Sequence, residues 1–409
     1  MPVGNLNIQV TSDTDNRPIP GATIQINTEN EPEQIIEEAR TNEEGQVNDI
    51  ELDAPPVEYS LEPGANKPYS EYTITISAPG FESLRVSGAE IFSGETAIQN
   101  ASLIPTATEP DSAELYVIPD HTLWGDYPPK IPESEIKTVE ETGEIVLSRV
   151  VIPEYVVVHD GPPSDSSAKN YYVRYKDYIK NVASSEIYST WPLATIQANI
   201  LAIQSFTLNR VYTEWYRNRG YDFTITTSTA YDHKWIPNRN IFANISNVVD
   251  EIFSNFLSRP NVQQPILTQY CDGKNVSCPN WMTQWGSKSL GDQGYTAIEI
   301  LRYYYGDSMY INSTEEISGI PSSYPGTALR QGSSGDKVRQ MQQQLNVISN
   351  SYPRIPKIAE DGAFGPQTEE AVRIFQQVFG LTPDGIVGFQ TWYKISEIYV
   401  AVSRIAELV

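Results

Sequence analysis

Alternating apolar and polar residues mark the first hundred positions of the chain. The alternation is clearest at 6–10, 22–26 and 72–76, where apolar side chains occupy every second position. This period of two predicts β-strands that bury one face. Turns rich in Gly, Pro, Asn and Asp separate the runs. We therefore predict an antiparallel β-sandwich over residues 1–105.

The pattern changes twice after this segment. Residues 106–149 are rich in Pro, Glu and Thr, which predicts an extended, exposed linker that proteases favour. A β-branched run at 155–159 then opens a stretch with long helical periodicities. We predict an α+β domain over residues 150–315.

A Gly-, Pro- and Ser-rich segment at 317–325 precedes the last block, residues 326–409. In this block Val338, Met341 and Leu345 share one helical face, as expected for an amphipathic helix. The chain as a whole is therefore predicted to be multidomain.

Acidic residues are concentrated at the front of the chain. There are 52 acidic and 28 basic residues, for a net charge of −24. Up to Val150 there are 28 acidic and 7 basic residues, and the remainder has 24 and 21. No part has the basic excess that nucleic-acid binding requires. No apolar run approaches the roughly 20 residues of a membrane span, and the N-terminus lacks the basic and apolar regions of a secretory signal.

One carboxylate stands on an apolar helical face in the middle of the chain. Glu186 follows Val182 by four positions and Ile179 by seven, so the three side chains project from the same side of a predicted helix. Burial disfavours the charged form of a carboxylate and raises its pKa, as a general acid requires. An alternative is a structural glutamate at the edge of the core that pairs with Arg174, Arg210 or another base.

Motifs in the last block resemble the three-helix peptidoglycan-binding domain of bacterial wall hydrolases. The matching residues are Leu329, Gly332, Gly335, Gln342, Leu345, Asp361-Gly362, Gly365, Phe375-Gln376, Asp384-Gly385, Gly388 and Thr391-Trp392. The resemblance implies that peptidoglycan glycan strands are the partner and that Trp392 contacts them. The first hundred residues similarly resemble the carboxypeptidase-regulatory-like sandwich, through Pro18–Ala22 and Ala78–Phe81.

The central stretch resembles the stage II sporulation protein D-like family of peptidoglycan lytic transglycosylases. The order of motifs carries this resemblance: Tyr178–Glu186, Trp191-Pro192, Ala198–Phe206, Met282–Ser287, Gly294-Tyr295 and Tyr303–Gly306. It implies that Glu186 is the catalytic acid. The substrate-binding residues implied with it are Tyr270, Asp272, Gln284, Trp285 and Gly286.

In this family one carboxylic acid cleaves the bond between N-acetylmuramic acid and N-acetylglucosamine, and the product has a 1,6-anhydro ring. A water-using muramidase would need a second carboxylate, for which Asp232, Asp272 and Glu299 are candidates. The chain departs from the family in two places. Gln204 stands where the family has Arg, and the Gly-His-Gly segment before Met282 is missing.

Taken with the last block, the chain resembles the clostridial spore cortex-lytic pro-enzymes, which are stored inactive and trimmed by a subtilisin-like protease. The resemblance implies a location at the spore cortex or cell wall. It also implies that residues 1–149 form a removable pro-segment, and the charge step at that boundary supports the same prediction. An alternative is that the sandwich is a permanent spacer or anchor.

Metal and thiol chemistry have weak support in the sequence. The histidines and cysteines, namely His121, His159, His233, Cys271 and Cys278, show no ligand spacing. We therefore predict no metal and no cofactor. The two cysteines form a disulfide or remain thiols. Two alternatives to a transglycosylase stay open: a non-catalytic wall-binding structural protein, and an amidase that acts on the stem peptide.

Overall fold

The alternating runs at the front of the chain pair into two facing β-sheets. The computed structural model describes residues 2–106, 113–125, 127–137, 149–318 and 324–403. The strands of this first unit are β1 Val3–Ser12, β2 Thr23–Thr28, β3 Glu31–Arg40, β4 Gln46–Asp53, β5 Ser70–Ser77, β6 Leu84–Ile91, β7 Thr96–Leu103 and β8 Glu114–Val117. One sheet contains β7, β1 and β4, and the other has the order β3-β2-β5-β6-β8. Alternate residues of β1, including Leu6, Ile8 and Val10, are buried between the sheets.

The prediction of an antiparallel sandwich over residues 1–105 is wrong at one pairing, and a second parallel pairing adds β8, which lies in the predicted linker. Strand β1 runs parallel to β7, and β6 runs parallel to β8. Alternation shows that a segment is a strand with one buried face, but it carries no information on the direction of its neighbour. The sandwich is therefore mixed.

Helices dominate the central domain, and short strands connect them. Its elements are β9 Tyr155–His159, β10 Asn170–Arg174, α1 Tyr175–Glu186, α2 Leu193–Tyr212, β11 Ile225–Thr226, β12 Ile241–Phe242, α3 Ala243–Ile252, β13 Asn255–Ser258, β14 Tyr270–Cys271, β15 Met282–Thr283, α4 Gln284–Asp292, α5 Ala297–Tyr305 and β16 Tyr310–Ser313. Helices α1 and α2 lie at the centre and are buried along most of their length. Among the described residues, no helix is both long and apolar enough to cross a membrane.

The sandwich and the central domain share a sheet. Strand β12 pairs antiparallel with β7, so a segment of the central domain extends the N-terminal sheet. Beside it Arg239 donates to the carboxylate of Glu90 at 2.5 Å, and both side chains are buried. Asn240 also bonds both backbone groups of Glu90. These contacts fix the sandwich against the domain that carries Glu186.

The expectation of an exposed linker at 106–149 is wrong for the part that the structure describes after 112. The side chains of Ile118, Leu123 and Lys130 are buried; the amide of Ile118 donates to Ser87 of the sandwich, and Lys130 donates to the main-chain oxygen of Asp232 in the central domain. Hydrogen bonds and ion pairs with that domain offset the cost of burying this polar segment. Composition predicted an extended backbone but not this packing. Residues 107–112 and 138–148 lie outside the described residues.

Three helices form the last block, as the sequence predicts: α6 Asp336–Ile348, α7 Pro366–Val378 and α8 Phe389–Ser403. An Asp-Gly turn precedes each of the last two helices. The amide of Gly362 donates to Gln342 Oε1 and that of Gly385 to Gln376 Oε1, both at 2.8 Å. Both glycines have a positive φ, which favours glycine. The repeated Gln and Asp-Gly motifs therefore build two equivalent turns.

Candidate functional site

Glu186 is the last residue of α1 and is 0% exposed. The apolar face predicted for this helix is buried, with Ile179 and Val182 also fully enclosed. The polar side of the helix is buried as well, which the periodicity does not predict, because the linker and other parts of the central domain cover it: Lys180 pairs with Asp250 of α3, and Asn181 bonds both backbone groups of Ile236. The Thr122 hydroxyl of the linker, for example, donates to the carbonyl oxygen of Ser185 at 2.8 Å.

Two donors hold the carboxylate of Glu186. The amide of Lys234 donates to Oε1 at 2.6 Å, and the hydroxyl of Tyr270 donates to Oε2. Gln284 donates from Nε2 to the main-chain oxygen of Glu186 at 3.0 Å and so fixes the end of α1. The structure thus brings Glu186, Tyr270 and Gln284 together.

Arg174 and Arg210, the bases considered as structural partners, bind elsewhere. Arg210 pairs with Asp232 and Glu133, and Arg174 donates to the main-chain oxygen of Glu397.

Burial raises the pKa of Glu186 above its ordinary value of 4.5. The positive charge of Lys130, the Tyr270 hydroxyl and the Lys234 amide oppose this rise, since each favours the carboxylate. Glu186 is therefore a carboxyl group whose protonated and ionised forms are both supported by its surroundings. A group that first donates and then accepts a proton needs this balance.

An aromatic wall stands beside the carboxyl group. The ring of His233 lies 5.8 Å from that of Tyr270 at an interplanar angle of 13°, and its Nδ1 is 3.1 Å from the hydroxyl of Tyr178. Burial lowers the pKa of His233 well below its ordinary value, and the charges of Lys130 and Arg210 add to this effect. The histidine is therefore a neutral packing group that orients Tyr178 and Tyr270.

Asp272 and Gly286 serve the local fold of this region. Asp272 accepts from the amides of Asn275 and Val276 at 2.7 and 2.9 Å, so it caps a turn. At Gly286 a Cβ atom would lie 2.2 Å from the hydroxyl oxygens of Thr283 and of Tyr304. The local fold thus explains why an aspartate stands at position 272 and a glycine at position 286.

Two tryptophans predicted to bind substrate have different surroundings. Trp285 is partly buried, and its ring lies 5.0 Å from that of Trp191 and 5.9 Å from that of Tyr188. Trp392 is 1% exposed, in the core of the last block. Trp285 therefore lies in the neighbourhood of α1, whereas Trp392 is enclosed in its own domain.

The other carboxylates considered for a muramidase are engaged in structural hydrogen bonds. Asp232 accepts from Arg210 Nε at 2.8 Å, from the Tyr216 hydroxyl at 2.6 Å, and from the amide and hydroxyl of Thr226 at 2.9 and 2.7 Å. Glu299 accepts from its own helix cap. With Asp272 capping a turn, all three have a role in the fold.

The two cysteines form a disulfide bond, Cys271–Cys278, which decides between the two possibilities left by the sequence. No group of three or more His, Cys, Asp or Glu side chains suited to hold a metal ion lies together within the part of the chain that the structure describes. Gln204, which replaces the Arg of the similar family, is buried beside the carbonyl oxygens of Ile252 and Asn255.

No pattern in the sequence indicated that the linker takes part in this site. Lys130 is 6% exposed, donates to the main-chain oxygen of Asp232, and places its Nζ over the ring of Tyr270. Tyr127 is also buried, and the charge of Glu186 contributes to its raised pKa. The run Tyr-Pro-Pro-Lys-Ile-Pro predicts backbone shape, and a lysine between prolines normally lies in solvent.

Comparison with known proteins identifies the last block. Residues 334–395 match the family model described as "Putative peptidoglycan binding domain". The zinc D-Ala-D-Ala carboxypeptidase of Streptomyces albus G is 45% identical over 71 residues, 17% of this chain and 26% of that protein. The N-acetylmuramoyl-L-alanine amidase CwlL of Bacillus licheniformis is 32% identical over 78 residues, 19% of this chain and 21% of that protein.

A solved structure, the SleB N-terminal domain, is 30% identical, with 19% of this chain and 99% of that chain covered and a TM-score of 0.17. The chain spans only 26% and 21% of the length of the two enzymes. Residues 334–395 of this chain thus match the model of a peptidoglycan-binding domain. The chemistry of the central domain has to be inferred from its own residues.

Proposed function

We propose that this chain is a peptidoglycan lytic transglycosylase that cleaves the glycan strand between N-acetylmuramic acid and N-acetylglucosamine, with Glu186 as its single acid and base. The observation that carries the proposal is the buried carboxyl group of Glu186, held by Tyr270 and the Lys234 amide, in a chain with a peptidoglycan-binding domain. The C-terminal domain would keep the enzyme on its insoluble substrate.

The reaction needs one proton donor that becomes a proton acceptor. Protonated Glu186 gives its proton to the glycosidic oxygen, and the bond from that oxygen to C1 of the muramoyl residue breaks. Ionised Glu186 then takes the proton of the muramoyl C6 hydroxyl, whose oxygen bonds to C1 and closes the 1,6-anhydro ring. No water is consumed, and Glu186 ends protonated.

The surroundings of Glu186 fit both halves of this cycle. Burial supports the protonated form that begins it, and the Tyr270 hydroxyl stabilises the carboxylate between the two steps. A hydrolase would require a further carboxylate to activate water. Asp232, Asp272 and Glu299 already accept hydrogen bonds that build the fold.

We further propose that residues 1–149 hold the enzyme inactive until a protease cuts near their end. In the uncut chain Glu186 is 0% exposed, and Lys130 of the linker is buried over the ring of Tyr270, whose hydroxyl bonds the Glu186 carboxylate. Arg149, at the proposed boundary, has a side chain that is 70% exposed. A subtilisin-like protease of the spore is the activating partner that the sequence resemblance suggests.

The test compares four samples on isolated cortex peptidoglycan. A recognition site for a specific protease is placed within 138–148, and the full-length chain and its Glu186→Gln variant are each assayed uncut and cut. We expect a loss of turbidity only with the cut, unsubstituted chain. Equal activity of the cut Glu186→Gln chain would exclude Glu186 as the acid. Equal activity of the uncut chain would exclude the inactive pro-form.

A further inference from the structure

Residues 127–137, which we name the strap, lie along a groove of the central domain. The amide of Ile131 donates to the main-chain oxygen of Ala230 at 2.8 Å. Gln269 holds the strap with both ends of its amide. Its Nε2 donates to the oxygen of Ile131 at 2.8 Å, and its Oε1 accepts from the amide of Glu133 at 2.9 Å.

The second half of the strap is held in the same manner. The amide of Leu267 donates to the main-chain oxygen of Glu135 at 3.2 Å. Gln264 then bonds both backbone groups of Lys137, with distances of 3.1 and 2.9 Å. The strap is therefore bound through its backbone at successive alternate residues, as an extended ligand is bound in a cleft.

One end of this groove reaches Glu186. The ammonium group of Lys130 lies 4.9 Å from the ring centre of Tyr270, whose hydroxyl bonds the carboxylate of Glu186. Tyr127 is buried at the same end, and its hydroxyl has no hydrogen-bond partner among the described residues. A polymer that reaches Glu186 along this groove has to displace both side chains.

Two arginines of the central domain bind the carboxylates of the strap. Glu133 accepts from Arg210 Nη1 and Nη2 at 2.9 and 2.6 Å. Glu135 accepts from Arg259 Nε and Nη2 at 2.7 and 2.9 Å. Both contacts have the two-pronged geometry by which arginine recognises a carboxylate. Arg210 also binds Asp232, but that contact uses its Nε, so its Nη edge faces the strap.

We propose that the groove filled by the strap is the glycan-binding cleft, and that Arg210 and Arg259 bind stem-peptide carboxylates of peptidoglycan at the positions now held by Glu133 and Glu135. This inference rests on the proposed function and names the regulation and specificity of the same site. Substrate and strap then compete for one groove. A cut after Arg149 leaves the strap bound, and activation is complete only when the strap leaves.

The experiment measures binding in the full-length chain with Glu186→Gln, so that no cleavage occurs. The probes are a soluble disaccharide-peptide with free stem carboxylates and the same compound with those carboxylates amidated. Hydrogen exchange of residues 127–137 reports on the strap. We expect the carboxylated probe to speed hydrogen exchange at residues 127–137. The probe should also bind roughly tenfold more tightly to a chain in which Glu133→Gln and Glu135→Gln weaken the strap.

Adding Arg259→Gln to this weakened chain should reduce binding of the carboxylated probe roughly tenfold and leave the amidated probe unaffected. Arg259 is suited to this test because its side chain is 19% exposed, whereas Arg210 is enclosed. The control is Glu114→Gln, a carboxylate of β8 that accepts from Tyr116 ahead of the strap. This variant should bind both probes as the parent does.

Binding of the probe without faster exchange at 127–137 would overturn the shared groove. Equal binding of both probes, or no effect of Arg259→Gln, would overturn the carboxylate sites. Neither readout depends on catalysis. If the cut chain lyses cortex but either of these binding results is obtained, only this inference is refuted. If the cut chain does not lyse cortex but the expected binding is observed, only the proposed chemistry is refuted.

Discussion

The ammonium group of Lys130 lies 4.9 Å from the ring centre of Tyr270, across the boundary between the linker and the central domain. Tyr270 in turn donates its hydroxyl proton to a hydrogen bond with Glu186. A residue from the acidic front third of the chain thus acts on this carboxyl group as long as the strap is in place. Its positive charge favours the ionised form of Glu186, opposing the effect of burial.

Replacing Tyr270 by Phe should change the pH dependence of cleavage. The hydroxyl stabilises the ionised carboxylate, so its loss raises the pKa of Glu186 further. A hydrogen bond to a charged group contributes about 1.5–3 kcal/mol, which corresponds to roughly one to two pKa units. We expect the cut Tyr270→Phe chain to be roughly ten- to a hundredfold slower, with the alkaline limb of its pH profile at higher pH.

Tyr72→Phe is the matched control for Tyr270→Phe. It removes a tyrosine hydroxyl that bonds the main-chain oxygen of Asp53 within the sandwich at 2.7 Å. This variant should keep the parental profile after cutting. An unchanged alkaline limb in Tyr270→Phe would show that its hydroxyl does not act on the catalytic acid.

Glu186→Gln should become more stable relative to the parent as the pH rises. Burial raises the pKa of Glu186 in the folded chain. The stability that this carboxyl group contributes is therefore complete below its ordinary pKa of 4.5 and is lost as the pH rises through its pKa in the folded chain. Glutamine has no such loss. Thermal unfolding from about pH 5 to about pH 8 should therefore show a Tm difference that grows in favour of Glu186→Gln.

Glu29→Gln provides a control of opposite sign. Although burial opposes it, hydrogen bonds from Ser87, Thr73 and the Gly88 amide lower the pKa of Glu29. Its contribution is therefore present above the ordinary pKa and lost as the pH falls. This variant should lose stability relative to the parent toward neutral pH. A constant Tm difference for Glu186→Gln over the whole range would mean that Glu186 does not titrate as its burial requires.

The sequence predicts local structure better than it predicts contacts between distant segments. The period of two located strands such as β1, and helical spacing placed Glu186 on a buried face of α1. Neither pattern predicts that β12 pairs with β7, since that pairing joins residues more than a hundred positions apart. The sandwich was therefore expected as a separate unit, although it is joined to the central domain.

The candidate site was predicted only in part, because some of its contacts also join residues that lie far apart in the chain. Family resemblance brought together Glu186, Tyr270 and Gln284, which the structure also places in contact. Lys130 was missed because its environment is built entirely by residues far along the chain. Trp392 was predicted to contact the glycan, yet its ring belongs to the core of its domain. Residue type alone does not distinguish a binding aromatic from a packing one.

Glu397→Ala should destabilise the joint between the last block and the central domain. Glu397 of α8 pairs with Lys176 of α1 and, at 2.9 Å, with Lys394. Although burial opposes it, these lysines hold the pKa of Glu397 well below its ordinary value. These three side chains are only partly buried, so removing the carboxylate should cost about 2–3 kcal/mol, less than the loss of one partner from a fully buried pair. We expect that loss in denaturant unfolding near neutral pH.

The effect of Glu397→Ala should shrink in acid. A lowered pKa gives stability that is present above the ordinary value and disappears as the pH falls through the folded one. Glu370→Ala removes an exposed carboxylate that pairs with Arg373 at 2.8 Å and should cost no more than about 1 kcal/mol. Similar losses in the two variants would show that α8 is not braced against α1 through this pair.

Replacing both Cys271 and Cys278 by Ser should lower the free energy of unfolding by about 2–3 kcal/mol, because the disulfide closes a short loop in the unfolded chain. The bond directly follows Tyr270. Denaturant titration of the parent with reductant should reproduce the midpoint of the double Ser variant, and reductant should leave that variant unchanged. A parent midpoint that is insensitive to reductant would contradict a stabilising disulfide.

Mass spectrometry of the released fragments decides whether Glu186 acts alone to cleave the glycan strand. Isolated cortex is digested with the cut chain, with its Glu186→Gln variant and with the cut Tyr72→Phe chain. We predict fragments with 1,6-anhydromuramic ends from the first and third samples and none from the second. Reducing muramic ends, free stem peptides, or the same anhydro products from the Glu186→Gln chain would contradict the account.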